Sequence, residues 1–397
     1  MGNESRGRSS AIPTVLLGAA AGLGPFTIDA YLPALPAISE QLSISAETSQ
    51  FSLAVTMLGF AVGQLVVGPW SDHAGRRLPL ATGLVLLVLG SIAAGLANDA
   101  ALLLLSRFVQ GFGAASSAVT ALAAARDQYE GPRLVKAIGT IALIQSLAPL
   151  VAPVIGGFVL VWSSWRGVFV FLAIYALAIL ASTVPRLRAP AGTAGPMVPV
   201  LARYRRLARD RSLVILLSLA ALRFIALFSF LQWSPFIFQG AYGTSPSAFG
   251  MLFAVMTLGM MIGLQLSPFS IRRGAPPRSV LQVSYLVMLV SAGLIALLSG
   301  AAITVASCAL FLIGCGLGLP TIQTLALADH PEDAGTVAGL VGAVGFGAAG
   351  LLSPVLAGLP ALGLDYQQAL AVVILVVAVL SAALTLALRI PPKNPLL

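Results

Sequence analysis

The chain is divided into about twelve apolar runs, each near the roughly 20 residues an α-helix needs to cross a bilayer. They span approximately Ile12–Pro33, Thr48–Pro69, Leu78–Ala97, Ala101–Ala123, Lys136–Val161, Trp165–Val184, Ser212–Gln239, Ser247–Phe269, Ser279–Leu298, Ala302–Leu325, Gly335–Gly358 and Gln367–Leu388. This pattern limits the fold more than any other feature, because backbone in hydrocarbon must satisfy its own hydrogen bonds. Only 9% of the residues are charged and 58% are hydrophobic; a soluble domain carries about 25% charged residues. The expectation is an all-α integral membrane protein of about twelve transmembrane helices.

Charge sorting orients these spans. Of 22 Lys and Arg, about nineteen fall on one side if the N-terminus is cytoplasmic, as the positive-inside bias requires. Arg166 lies in a loop on the other side, and Arg107 and Arg223 lie within spans. Both termini are therefore expected in the cytoplasm, in a multi-pass protein of the cytoplasmic (inner) membrane. The net charge of +9 follows from this topology and from lipid headgroups, not from nucleic acid. Arg6 and Arg8, with Ala19-Ala20-Ala21 further on, imitate a signal peptide. The apolar run continues to Pro33, too long for that, and reads as the first span. Cys308 and Cys315 share one apolar run and lack zinc-site spacing. The absence of a G-x-x-x-x-G-K-S/T segment argues against an ATP-driven pump within this chain.

The stretch Pro185 to Arg211 is rich in Pro, Gly and Arg and includes Arg203-Tyr204-Arg205-Arg206. It separates an N-terminal six-helix bundle (1–185) from a C-terminal one (212–397), with a cytoplasmic linker at 186–211. The arginines read as an anchor on anionic lipid. The two halves look like repeats. Gly59 and Gly63 recur as Gly259 and Gly263, Gly111 and Gly113 as Gly314 and Gly316, and Ala152 to Gly157 resembles Ser353 to Gly358. The offset is about 200 residues, six spans, so the repeats are parallel, one of the recurring transporter plans. The small-xxx-small glycines let helices approach closely.

Few ionisable residues lie inside the spans, and such residues mark functional sites by default. Asp29, in Pro25-Phe26-Thr27-Ile28-Asp29-Ala30-Tyr31-Leu32-Pro33, is the one charge in the first run. It is either a proton-coupling and substrate-binding carboxylate or only the cap of a broken helix. At 1.5 Å per residue, Asp29 and Arg107 both fall in the outer half of a core about 30 Å thick, so they can share a layer and partner each other. Gln110 is one turn from Arg107 and can join them. Arg223 lies near the midplane; it touches substrate, exchanges with Asp29, or rests on backbone carbonyls. Tyr31, Trp233 and Phe236 are candidate aromatic walls of a substrate cavity or interfacial anchors.

The most specific local signal is Gly68-Pro69-Trp70-Ser71-Asp72-His73-Ala74-Gly75-Arg76-Arg77. Pro69 is expected to end the second span and Gly75 to permit a tight turn, while Asp72 can face Arg76, Arg77 or the positive end of another helix. This segment resembles the loop between spans two and three of the major facilitator superfamily, G-x-L-x-D-R-x-G-R-R/K. Trp70 and His73 depart from that pattern. Arg107-Phe108-Val109-Gln110-Gly111-Phe112-Gly113 resembles the fourth-span motif of the drug/proton antiporters. Leu147 to Gly157 resembles their fifth-span motif, with Ala152 where Gly is usual and with Pro153, Gly156 and Gly157 in place. Ile28 to Pro36 resembles the D-x-Y-L-P-A-L-P of the Bcr/CflA drug efflux group.

The resemblance implies the major facilitator fold and proton-coupled efflux of small lipophilic compounds, including chloramphenicol-type antibiotics, by alternating access. It implies that Gly68, Asp72, Gly75, Arg76, Arg77, Pro153, Gly156 and Gly157 govern the change of state. It implies no enzyme activity and no cofactor or metal, with protons as the coupling ion, and the expected partners are a small-molecule substrate, protons and membrane lipids around a monomer. Two alternatives stay open from the residues: a transporter of a specific polar or anionic metabolite using Arg223, and a non-transporting receptor or scaffold.

Overall fold

A computed structural model describes residues 12–187 and 200–388. All regular structure among the described residues is helical, and twelve helices are long and apolar enough to span a membrane. The first span is α1 (Thr14–Asp29), continued through a 3-10 turn (Leu32–Ala34) into the short α2 (Leu35–Gln41). The next five are α3 (Ala46–Ala74), α4 (Arg77–Gly95), α5 (Ala100–Gln128), α6 (Gly131–Trp162) and α7 (Trp165–Thr183). The described part of the linker holds α8 (Val200–Leu207); residues 188–199 of the expected linker lie outside the described residues. The last six spans are α9 (Arg211–Pro235), α10 (Pro246–Arg272), α11 (Pro277–Leu297), α12 (Ala301–Ala328), α13 (Ala334–Ala357) and α14 (Tyr366–Ala387).

Local chemistry sets most of these ends. Ser45, Asp99, Asp210, Ser245 and Asp365 accept first-turn amide protons at the starts of α3, α5, α9, α10 and α14, satisfying donors that a helix leaves free. One expected boundary is wrong. Pro69 does not end the second span; α3 runs through it to Ala74 and stops at Gly75, whose φ of 77° suits glycine. The proline φ is compatible with a helix and removes only one hydrogen bond near its end.

Glycines bring the helices of each half together in the same way. A Cβ on Gly59 would overlap the Phe108 carbonyl and one on Gly111 the Thr56 carbonyl, so α3 and α5 meet backbone to backbone. In the second half, Gly259 abuts the Ala309 carbonyl and Gly316 the Met260 carbonyl, between α10 and α12. The similarity of the two sequences is thus repeated at the level of contacts, and each is a close approach of the small-residue kind. Two helix pairs make most of the contact between the halves: α6 with α10, and α3 with α13.

Candidate functional site

The site is built where α1 breaks. Pro25 lies inside α1, which gives way at Ala30–Tyr31. Asp29 is its last residue and is 4% exposed. Backbone on both sides of Asp29 is fixed by other helices. On one side, Arg107 Nη2 of α5 donates to the Thr27 carbonyl at 3.0 Å. On the other, Gly156 of α6 lies so close to the Ala30 carbonyl that a methyl group there would overlap it.

The expected ion pair between Asp29 and Arg107 is absent: among the described residues Asp29 makes no salt bridge. Arg107 is fully buried and directs its Nη donors elsewhere. Nη1 donates to Gln110 Oε1 at 2.7 Å, and the guanidinium lies 4.0 Å from the centroid of the Tyr31 ring, a cation–π arrangement. Gln110 Nε2 in turn donates to Ser91 Oγ of α4 at 2.7 Å, and the Tyr31 hydroxyl shares a hydrogen bond of 2.7 Å with Ser52 of α3. The result is one buried polar chain through α4, α5, α1 and α3. Both Arg107 and Asp29 reach the same region, as expected, but the arginine binds the backbone and ring around the carboxylate instead of the carboxylate itself. The polar partners Ser91 and Ser52 carry no sequence signal beyond being serines in apolar helices.

The antiporter-like segment of α6 closes one end of the interface between the halves. Gly157 lies against the Pro246 carbonyl of α10, and Gly250 of α10 against the Pro153 carbonyl. Nearby, Gln239 Nε2, in a π-helical stretch (Phe236–Ala241), donates to the Pro33 carbonyl at 3.0 Å. Pro153 and Gly157 therefore lie at a close contact between the halves, while Gly156 packs on the first span within its own half.

The remaining predicted residues divide. Arg223 is 2% exposed and its Nη1 donates to the carbonyls of Gly314 at 2.7 Å and Cys315 at 3.2 Å. It rests on α12 inside its own half, the backbone-carbonyl alternative, and does not meet Asp29. Trp233 is fully buried, and Phe236 packs on Tyr366 with centroids 5.4 Å apart. The aromatic surface between the halves comes instead from Phe60 of α3, Phe346 of α13 and Phe224 and Phe228 of α9. Phe60 and Phe346 meet across the halves at 4.5 Å, and Phe346 reaches Phe224 at 5.0 Å and Phe228 at 5.5 Å. At 1.5 Å per residue each is about 18–26 Å along its helix, near the middle of the spans. Sequence reading missed them because phenylalanine in an apolar run has no periodic mark of its own.

At the basic end, Arg76 ties the loop together. It donates to Asp72 Oδ1 at 2.6 Å, to Ser71 Oγ at 3.0 Å and through Nε to Asp127 Oδ2 at 2.7 Å. Burial alone would lower the pKa of Arg76, but the bonds to Asp127 and Asp72 outweigh it and hold the guanidinium above its ordinary value. Asp127, at the end of α5, is the partner that sequence reading missed. Asp72 is 74% exposed, with Arg76 as its partner and not a helix N-terminus. Arg77 is exposed, and Gly68 has open space beside it.

Twelve spanning helices in two groups that meet through paired helices, with a buried carboxylate at the broken first helix, have the architecture of a membrane transporter. The chain matches the family model for the Major Facilitator Superfamily over residues 17–354, and it belongs to that family. It is 31% identical over 355 residues to an uncharacterised MFS-type transporter, YdgK, of Bacillus subtilis, covering 85% of this chain and 87% of that one. It is 28% identical over 362 residues to a bicyclomycin resistance protein homologue of Haemophilus influenzae, covering 88% and 90%. Among solved structures, a bacterial homologue of the human lysosomal transporter Spinster, inward-facing and unoccupied, superposes with a TM-score of 0.74 at 17% identity, over 96% of this chain and 98% of that one. These similarities agree with the drug-efflux group that the motifs resemble, and they set the chain among transporters rather than enzymes.

Proposed function

We propose that this protein exports small lipophilic compounds, chloramphenicol-type antibiotics among them, in exchange for protons, by alternating access across the cytoplasmic membrane, with both termini inside. The observation that carries this reading is Asp29: a carboxylate in a spanning segment, 4% exposed and without an ion-pair partner among the described residues, at a helix break held from both sides. An intramembrane carboxylate with no fixed counter-ion is suited to gain and lose a proton as access changes. Arg107 keeps the break in shape, so the carboxyl need not hold the backbone and is left to exchange protons and contact substrate. The midplane phenylalanines supply apolar, adaptable walls for a lipophilic ligand. The name of the Haemophilus relative points in the same direction.

In this cycle the seal at Pro153, Gly157 and Gly250 belongs to the state open toward the cytoplasm. Asp29 takes its proton from the outer side after the halves rock, releasing drug. The proton then leaves inward, and drug binds again. Each charge moved inward gains about 2.3 kcal/mol per 100 mV. That energy drives export only through reciprocal coupling of proton and drug binding. The metabolite alternative loses its anchor, because the Arg223 guanidinium rests on the carbonyls of Gly314 and Cys315. Purified monomer in liposomes, with and without a pH gradient, is the direct test, run beside a resistance panel in an efflux-deficient host. Drug flux that ignores the pH gradient would overturn the coupling; no gradient-driven flux of any panel compound would overturn the drug reading.

A further inference from the structure

The linker is fastened to the C-terminal half by a compact set of charges. Arg203 Nε of α8 lies 3.4 Å from Asp333 Oδ1, and Arg206 Nη2 contacts Asp333 Oδ2. Arg203 also donates to Thr336 Oγ1 at 3.3 Å. One turn further, Leu207 is 2% exposed and joins the apolar core. His330 Nε2 lies 3.0 Å from Asp210 Oδ2, while Asp210 Oδ1 caps α9 through the Ser212 amide at 2.8 Å. Two of the three arginines read from sequence as a lipid anchor are thus held by protein.

Asp333 is the unusual member. It is 8% exposed and stands at the N-cap of α13, where an aspartate ordinarily accepts amide protons of its own helix. It makes no such bond and is spent on the linker arginines. The helix it starts, α13, is one that crosses between the halves, packing Phe346 on Phe60 and Gly342 under Gln64 of α3. At the same corner, Arg126 from the end of α5 brings Nη1 to 3.9 Å from where a Cβ on Gly335 would lie. Among the described residues Arg126 has no ion-pair partner, and its neighbour Asp127 is taken by Arg76.

We propose that the linker is a clasp on α13. Arg203 and Arg206 hold Asp333 while the Pro153–Gly250 seal is closed, and closing the basic end passes Asp333 to Arg126 of α5. Two competing sets of partners, on different halves, for one buried carboxylate make a two-position switch. Held by the linker, the start of α13 stays with the C-terminal half; held by Arg126, that end is drawn to the N-terminal half. The clasp rests on alternating access, but on neither the substrate nor the coupling ion.

Spin labels at Arg133 and Arg273, both exposed at the basic end and on different halves, report the opening by pulsed electron resonance in nanodiscs without any substrate. Asp333→Asn removes both positions of the switch. The double variant Arg203→Gln/Arg206→Gln removes only the linker position and leaves the acid in place. The double variant is expected to raise the closed-to-open ratio about three- to tenfold, the scale of losing one or two half-exposed ion pairs. Arg126→Gln is expected to lower the ratio by a similar factor. Arg203→Gln/Arg206→Gln with a wild-type distance distribution, in monodisperse protein, would overturn the clasp. Arg126→Gln with a wild-type distribution would overturn the exchange. The distances are read without substrate or pH gradient, so a wild-type distribution overturns the clasp alone, whereas drug flux that ignores the pH gradient overturns the proton reading alone.

Discussion

Arg107 donates to the Thr27 carbonyl at 3.0 Å while its guanidinium lies 4.0 Å from the centre of the Tyr31 ring. A single side chain of α5 therefore grips the first span on both sides of Asp29. The hydrogen bond fixes the last turn of α1, and the ring contact fixes the first residue past the break. Arg107 thus shapes the break without engaging the Asp29 carboxyl.

Asp29→Asn is expected to abolish pH-driven drug accumulation and drug-induced proton release in liposomes, in protein that still elutes as a folded species. The amide has nearly the shape of the acid but cannot carry a proton at transport pH. Wild-type proton release from the variant would remove Asp29 as the carrier.

Arg107→Ala strips donors from the Thr27 carbonyl and from Gln110 and removes the stacking partner of Tyr31. Hydrogen bonds from a charged group contribute about 1.5–3 kcal/mol each. The expected outcome is a marked fall in thermal stability in detergent together with loss of transport. Arg107→Lys should restore little of either, because an ammonium cannot stack flat and reach both acceptors. A lysine variant with wild-type melting and flux would contradict the positioning role.

Gly156→Ala and Gly157→Ala place methyl groups against the Ala30 and Pro246 carbonyls. Overpacking of this kind costs about 1–3 kcal/mol. Both variants should lose transport. Gly157→Ala should in addition open the seal between α6 and α10, since its clash is across the halves. Increased labelling of a cysteine at Ser247 by an impermeant reagent checks this; labelling equal to the parent protein would argue against the seal.

Asp127→Asn removes one of the two carboxylates that hold Arg76, and Asp72→Asn the other. Exposed pairs contribute only about 0.2–1 kcal/mol to folding. Expression and melting should therefore change little, while flux falls, because the loop biases an equilibrium between two states. Normal flux in both variants would leave the loop without a conformational role.

The expected topology is open to labelling. Cys308 and Cys315 are both fully buried, so the parent background is quiet. A cysteine at Asn98 should react with an impermeant reagent in intact cells, and one at Arg273 only after permeabilisation. The reverse pattern would invert the protein in the membrane.

Much of this architecture is legible in the amino-acid order. Span length, helix type and helix ends depend on neighbours within a few residues: apolar runs of bilayer length, Ser or Asp caps, and a glycine such as Gly75 where φ turns positive. The repeat is legible for the same reason, because Gly59 and Gly259 mark one packing need met twice. The motifs around Asp29, Asp72, Arg107 and Gly156 are legible because they carry the family resemblance. What tertiary structure alone decided is partnership. Thr27 and Arg107 are 80 positions apart, Asp333 and Arg206 are 127 apart, and no local periodicity encodes which gap a guanidinium will fill. Inside a membrane each polar group must find whatever acceptor the helix packing presents. That packing sent Arg107 to a carbonyl and a tyrosine, Arg223 to the backbone of α12 and the linker arginines to Asp333, and among the described residues left Asp29 without an ionic partner.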